Sequence, residues 1–105
     1  MTKNNLSYRA AVVGLGSIAI GYDGGAGEPP LTHVAALRRE GRVRLVAACS
    51  PVLAEREFFR SLVGAPVYES PVEMLRAVRP ELVSVCSPTD LHFAHAMLCV
   101  EAGVN

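Results

Sequence analysis

The sequence predicts an α/β fold, a parallel sheet with helices on both faces, and three observations carry that prediction. Tyr8–Val13, Val43–Cys49 and Leu82–Cys86 are nearly continuous apolar runs, the pattern of strands buried on both sides. Segments with helical start and stop signals alternate with them. The first run leads into a glycine-bearing turn that opens a helix.

Each element follows from local chemistry. Ser17–Gly21 begins a helix, and Tyr22–Leu31, which holds Gly24, Gly25, Gly27, Pro29 and Pro30, reads as a loop. Thr32 can cap a second helical piece that runs to Glu40 and stops at Gly41. Pro51–Leu62 is predicted helical and Val67–Tyr68 a short strand. The next helix opens with Ser70 at N-cap, Pro71 at N1 and Glu73 at N3, a capping box. The last helix spans Asp90–Ala102, with Gly103 at C′. No internal repeat or linker interrupts the series.

Composition narrows the class. A chain of 105 residues, half of them hydrophobic, makes one domain with a packed core. Ten basic and ten acidic residues, interspersed, leave no electrostatic footprint for nucleic acid or an anionic membrane. The longest nearly uncharged run, Ala10–Tyr22, is too short to span a bilayer. The leading "MTKNNLSYR" lacks the apolar region of a signal peptide. Three cysteines without framework spacing fit a reducing cytoplasm, the expected location.

Gly14, Gly16 and Ala19 fill a G-x-G-x-x-A fingerprint between a strand and a helix. The first permits the turn, the second lets a pyrophosphate approach the backbone, and the third allows close helix–strand packing. The phosphates would lie against the amides of Ser17 and Ile18. A tight strand–helix turn with no ligand is the alternative reading.

The segments "VVGLGSIA", "THVAAL", "RLVAACS" and "VSVCSPTDLHFAHAMLCVEAGVN" follow one another in an order that resembles the Gfo/Idh/MocA oxidoreductases, the glucose–fructose oxidoreductase and inositol dehydrogenase family. Cys86–His92 is the most specific part, similar to that family's Pro-Thr-Asp-Leu-His signature. The resemblance implies a Rossmann-type nucleotide-binding domain of strand order 3-2-1-4 and an NAD(P)-dependent oxidoreductase acting on a sugar- or polyol-like substrate. It also implies that Ser87, Pro88 and His92 lie beside the nicotinamide. The family's catalytic lysine follows the next strand, beyond Asn105, and Lys3 is the only lysine present. The chain is therefore expected to be truncated before strand five and to lack the substrate domain. No catalytic residue is assigned, and the isolated chain is expected to be inactive. A non-catalytic nucleotide-binding or scaffold module is the alternative, and an interaction domain that binds no nucleotide is a third reading.

The end of the second strand departs from the dinucleotide pattern. Ser50 stands where Asp or Glu usually accepts a ribose hydroxyl. Without that carboxylate, and with Arg56 one to two turns along, NADP is expected to bind at least as well as NAD. Ser50 as a simple helix cap ahead of Pro51 is the compatible plainer reading.

His92, His95 and Cys99 recur at helical spacing, which makes a zinc site conceivable. Against it, His92, Ala96, Cys99, Val100 and Gly103 form the stripe expected to pack on the sheet, so no metal is assigned. Cys49 and Cys86 end buried strands and carry no sign of nucleophilic activation. His33 has no identifiable partner. Leu91, Phe93, Ala94, Met97 and Leu98 occupy the other side of the last helix. Together with a bare Leu82–Cys86 edge they predict self-association, a homodimer or larger.

Overall fold

A computed structural model describes residues 8–105. Strands β1 (Tyr8–Val13), β2 (Val43–Cys49), β3 (Val67–Tyr68) and β4 (Leu82–Val85) form one parallel sheet in the order β3-β2-β1-β4. This is the expected 3-2-1-4 arrangement. β1 is central, and Ala10–Val13 are all buried. Side chains alternate across the pleat. Val12 and Ala48 therefore join Ala19, Val34 and Phe59 on one face, while Ala11, Val13, Ala47 and Cys49 join Met74, Leu75 and Cys99 on the other. Helices α1 (His33–Arg39) and α2 (Leu53–Val63) cover the first face, and α3 (Pro71–Val78) and α4 (His92–Glu101) the second.

Caps hold where the signals are local. Thr32 Oγ1 accepts the Ala35 amide at 3.2 Å, and Ser70 Oγ accepts the Glu73 amide at 3.3 Å with Pro71 in the first turn. After α4, Gly103 takes φ +75° and the Val104 amide reaches back to the Cys99 carbonyl at 2.9 Å.

Five expectations change. The fingerprint helix is one wide turn, Ser17–Gly21, in which the Ile20 and Gly21 amides both bond to the Gly16 carbonyl at 3.0 Å. α2 starts at Leu53 rather than Pro51, and the last helix is a tight turn, Thr89–Leu91, followed by α4. α4 faces the sheet with Cys99 and the half-buried His95 and Leu98, while His92, Ala96, Val100 and Gly103 are exposed. The bond between His95 and Ser87 and the closure at Cys99 set that rotation. Finally, the outer edge of β4 is not bare. Asn105 accepts from the Val83 amide at 2.7 Å and donates to the Glu81 carbonyl at 3.3 Å.

Candidate functional site

A cleft of about 670 Å³ opens at the carboxyl ends of β1, β2 and β4. It lies where the strand order reverses, between β1 and β4, the place where open parallel sheets leave a crevice. Gly14, Gly16, Ser17, Ile18, Ser50, Ser87, Pro88 and His92 all line it. Residues up to 78 positions apart in sequence are thus brought to one surface by the crossovers of the sheet.

The two fingerprint glycines differ in what they permit. Gly14 has φ +93°, and a Cβ there would lie 2.7 Å from the Ser87 nitrogen, so the β1 turn passes directly against the loop after β4. A Cβ on Gly16 would meet no protein atom within 4 Å. That space belongs to the cleft. Ser17 and Ile18, as the first residues of a helical turn, offer amides with no intrahelical acceptor. Ala19 is fully buried in the core, as the third fingerprint position requires.

The segment that interrupts the helix is organised by Asp23. Its Oδ1 accepts the Gly25 amide at 2.9 Å and the Thr32 hydroxyl at 2.7 Å, and its Oδ2 accepts the Leu31 amide at 2.7 Å. Desolvation pushes the Asp23 carboxyl up, but bonds from Leu31, Thr32 and Gly25 prevail and hold it below its ordinary value. The loop thereby delivers Thr32 to cap α1. Sequence reasoning passed over Asp23, although Asp followed by two glycines is a turn signal.

On the β4 side, Ser87 is the hub. Its Oγ bonds to His95 Nδ1 at 2.7 Å, and His92 Nε2 donates to its carbonyl. Because a carbonyl only accepts, His92 carries a proton on Nε2. Cys99 packs into the sheet-facing cluster, away from this histidine pair's bonds to Ser87. Among the described residues, no group of three or more His, Cys, Asp or Glu is placed to hold a metal ion. His33 does have a partner: its Nδ1 lies 2.8 Å from Ser84 Oγ. Burial pushes the Cys49 thiol up to about 12 and raises that of Cys86, which suits neither to nucleophilic attack.

At the end of β2 the side chains depart from the expected arrangement. Ser50 is 1% exposed, and its Oγ accepts the Val52 amide at 3.1 Å while donating to Glu55 Oε1 at 2.6 Å. It tightens the approach to α2 without being the N-cap, which is Val52. Arg56 Nη1 donates to the Ser50 carbonyl at 2.8 Å. The carboxylates lining the cleft are Glu55 and Glu69, and among the described residues no lysine or arginine lines it.

The model of the oxidoreductase family with an NAD-binding Rossmann fold, GFO_IDH_MocA, matches residues 8–105. The chain belongs to the Gfo/Idh/MocA family. The D-glucoside 3-dehydrogenase of Escherichia coli (strain K12) is 32% identical over 98 residues, covering 92% of this chain and 25% of that protein. The WlbA dehydrogenase from Bordetella pertussis, solved in complex with NADH and UDP-GlcNAcA, superposes with a TM-score of 0.80 at 22% identity, over 96% of this chain and 26% of that one. Scyllo-inositol dehydrogenase from Lactobacillus casei, solved with NAD(H) and scyllo-inositol, gives a TM-score of 0.76 at 22% identity, over 94% of this chain and 26% of that one. The chain spans about a quarter of the length of the relatives it matches. It is an NAD-binding Rossmann domain of this family. No helix among the described residues is long and apolar enough to cross a membrane.

Proposed function

We propose that the cleft binds a nicotinamide dinucleotide, and that the chain is the cofactor-binding portion of an oxidoreductase acting on a hydroxyl of a sugar or polyol. The single observation that carries this reading is the open space over Gly16, where even one methyl group would intrude on the cleft and not on the protein. The donor set fits the ligand. Backbone amides of Ser17 and Ile18 suit a pyrophosphate, and a volume of about 670 Å³ lies within the roughly 300–1,000 Å³ of small-molecule sites. The bound dinucleotide supplies the acceptor for a hydride from the substrate carbon. The chain's own residues position it. Gly16 admits the phosphates to the backbone, and Gly14 lets the turn close against the loop after β4. Ser87, Pro88 and His92, the last held through Nε2 by the Ser87 carbonyl, wall the far end. Among the described residues none is assigned the proton-transfer role, and the 105-residue chain alone is expected to turn over no substrate. Three buried, unpaired cysteines support a reducing compartment such as the cytoplasm.

Calorimetric titration of NAD and NADP tests the reading. Gly16→Val is expected to weaken whichever dinucleotide binds by tenfold or more while leaving the unfolding midpoint unchanged. Absence of binding to the wild-type chain contradicts the proposal and favours an interaction module. One observation supports that second reading: Phe93, Met97 and Val100 give α4 an exposed apolar face, continued by Leu91 in the preceding turn, with Phe93 78% exposed.

A further inference from the structure

We infer that Glu55, projecting from α2, supplies the carboxylate that the end of β2 lacks, and that it selects a dinucleotide with a free 2′-hydroxyl over one bearing a 2′-phosphate. The inference rests on the reading of the cleft as a dinucleotide site and assigns its adenosine-ribose end.

The geometry removes Ser50 from contention as the discriminating group. Its side chain is buried, its hydroxyl proton is committed to Glu55 Oε1 at 2.6 Å, and its oxygen already accepts the Val52 amide. A buried hydroxyl with both roles taken has no donor to offer a phosphate. What it does instead is tether a carboxylate at the carboxyl end of β2, the position from which a ribose diol is held in such folds. Glu55 Oε2 has no hydrogen-bond partner among the described residues, and Glu55 lines the cleft.

The surrounding charge points the same way. Glu69 lines the cleft as well, just after β3, and the Ser50 amide bonds to the neighbouring Tyr68 carbonyl at 2.9 Å. Two carboxylates therefore flank this end of β2. Arg56, the cation that sequence spacing suggested for a 2′-phosphate, spends a guanidinium N–H on the Ser50 carbonyl at 2.8 Å and does not line the cleft. A dianionic phosphate placed here meets like charge with no facing cation, whereas a vicinal diol can donate to Glu55. The expectation that NADP binds at least as well as NAD assumed an uncharged corner, and Glu55 removes that premise.

Titration of NAD, NADP and 2′,5′-ADP into the wild-type chain and into Glu55→Gln, Ser50→Ala and Glu69→Gln tests the assignment, with circular dichroism to confirm that each variant is folded. The wild type is expected to bind NAD at least tenfold more tightly than NADP. Glu55→Gln should move that ratio tenfold or more toward NADP and strengthen 2′,5′-ADP binding. Ser50→Ala, which releases the tether, should move the ratio in the same direction by a few-fold, and Glu69→Gln should move it less than Glu55→Gln. A wild type that prefers NADP overturns the inference. So does a ratio unchanged in Glu55→Gln while both dinucleotides still bind. Failure of the wild type to bind any of the three probes refutes the dinucleotide reading itself, a separate result.

Discussion

Gly14→Ala separates the structural duty of the fingerprint from its binding duty. The added Cβ would lie 2.7 Å from Ser87 N, 2.8 Å from Ser87 Cα and 2.9 Å from the Cys86 carbonyl carbon. All three are backbone atoms, so no rotamer change can relieve them. The segment is also pinned, because the Cys86 amide donates to the Val13 carbonyl at 2.7 Å. Relief means drawing the end of β4 away from β1. An L-residue at positive φ costs about 1–2 kcal/mol, and overpacking of this kind costs about 1–3 kcal/mol. The expected loss is therefore roughly 2–5 kcal/mol, a large share of the ~5–15 kcal/mol typical of a domain. Urea unfolding measures it, as a fall in midpoint with unchanged slope. Gly16→Ala is the control, at φ −81° with nothing within 4 Å of its Cβ, and should stay within about 0.5 kcal/mol of wild type. A Gly14→Ala chain as stable as the control would refute the argument that β1 and β4 are locked by close backbone approach.

Asp23 is held below its ordinary pKa, so the unfolded chain takes up its proton first as pH falls, and the loop's contribution disappears as pH drops through the folded value. Thermal unfolding from pH 7 to pH 3 should therefore lose stability more steeply in wild type than in Asp23→Asn, and parallel curves would contradict this. Cys49 runs the other way: burial raises its thiol to about 12, so the unfolded chain ionises first, near the ordinary pKa of 9, and stability falls as pH rises from 9 toward 12. With all three thiols buried and raised, dithionitrobenzoate at pH 8 should react only at the rate of opening, and a fast native-state burst would count against the packing described. Phe93→Glu should reduce self-association in light scattering by placing a charge on the apolar face of α4, and a wild type that stays monomeric at high concentration removes that role.

Much of the site could be read from local chemistry. That Gly14, Gly16, Ser17 and Ile18 line the cleft was legible because the strand–turn–helix connection is written in consecutive residues, and that Ser87, Pro88 and His92 do so because the family motif is equally contiguous. Sheet order came with the alternation of apolar runs and helices, since parallel crossovers allow few arrangements. The rotation of α4 was not legible. Its helix is apolar on most sides, so periodicity did not single out the face made by His95, Leu98 and Cys99. The role of Asp23 escaped for another reason: its partners at Leu31 and Thr32 are eight and nine residues away across a loop with no periodicity.

By itself, then, the sequence determined the parallel α/β domain, the turn at Gly14–Ala19, the caps at Thr32 and Ser70, and the family. All of these depend on residue identity at short, regular spacing. Only the tertiary structure decided where charge falls within the cleft. Ser50 and Glu55 are five residues apart, and whether they touch depends on where α2 begins. Starting at Leu53 rather than Pro51 leaves a turn between strand and helix, closed by the Val52 amide on Ser50, and that turn swings Glu55 back over the end of β2. The position of a helix start is set by packing as much as by propensity, so no spacing rule could show that a carboxylate missing from one strand position returns from the next helix.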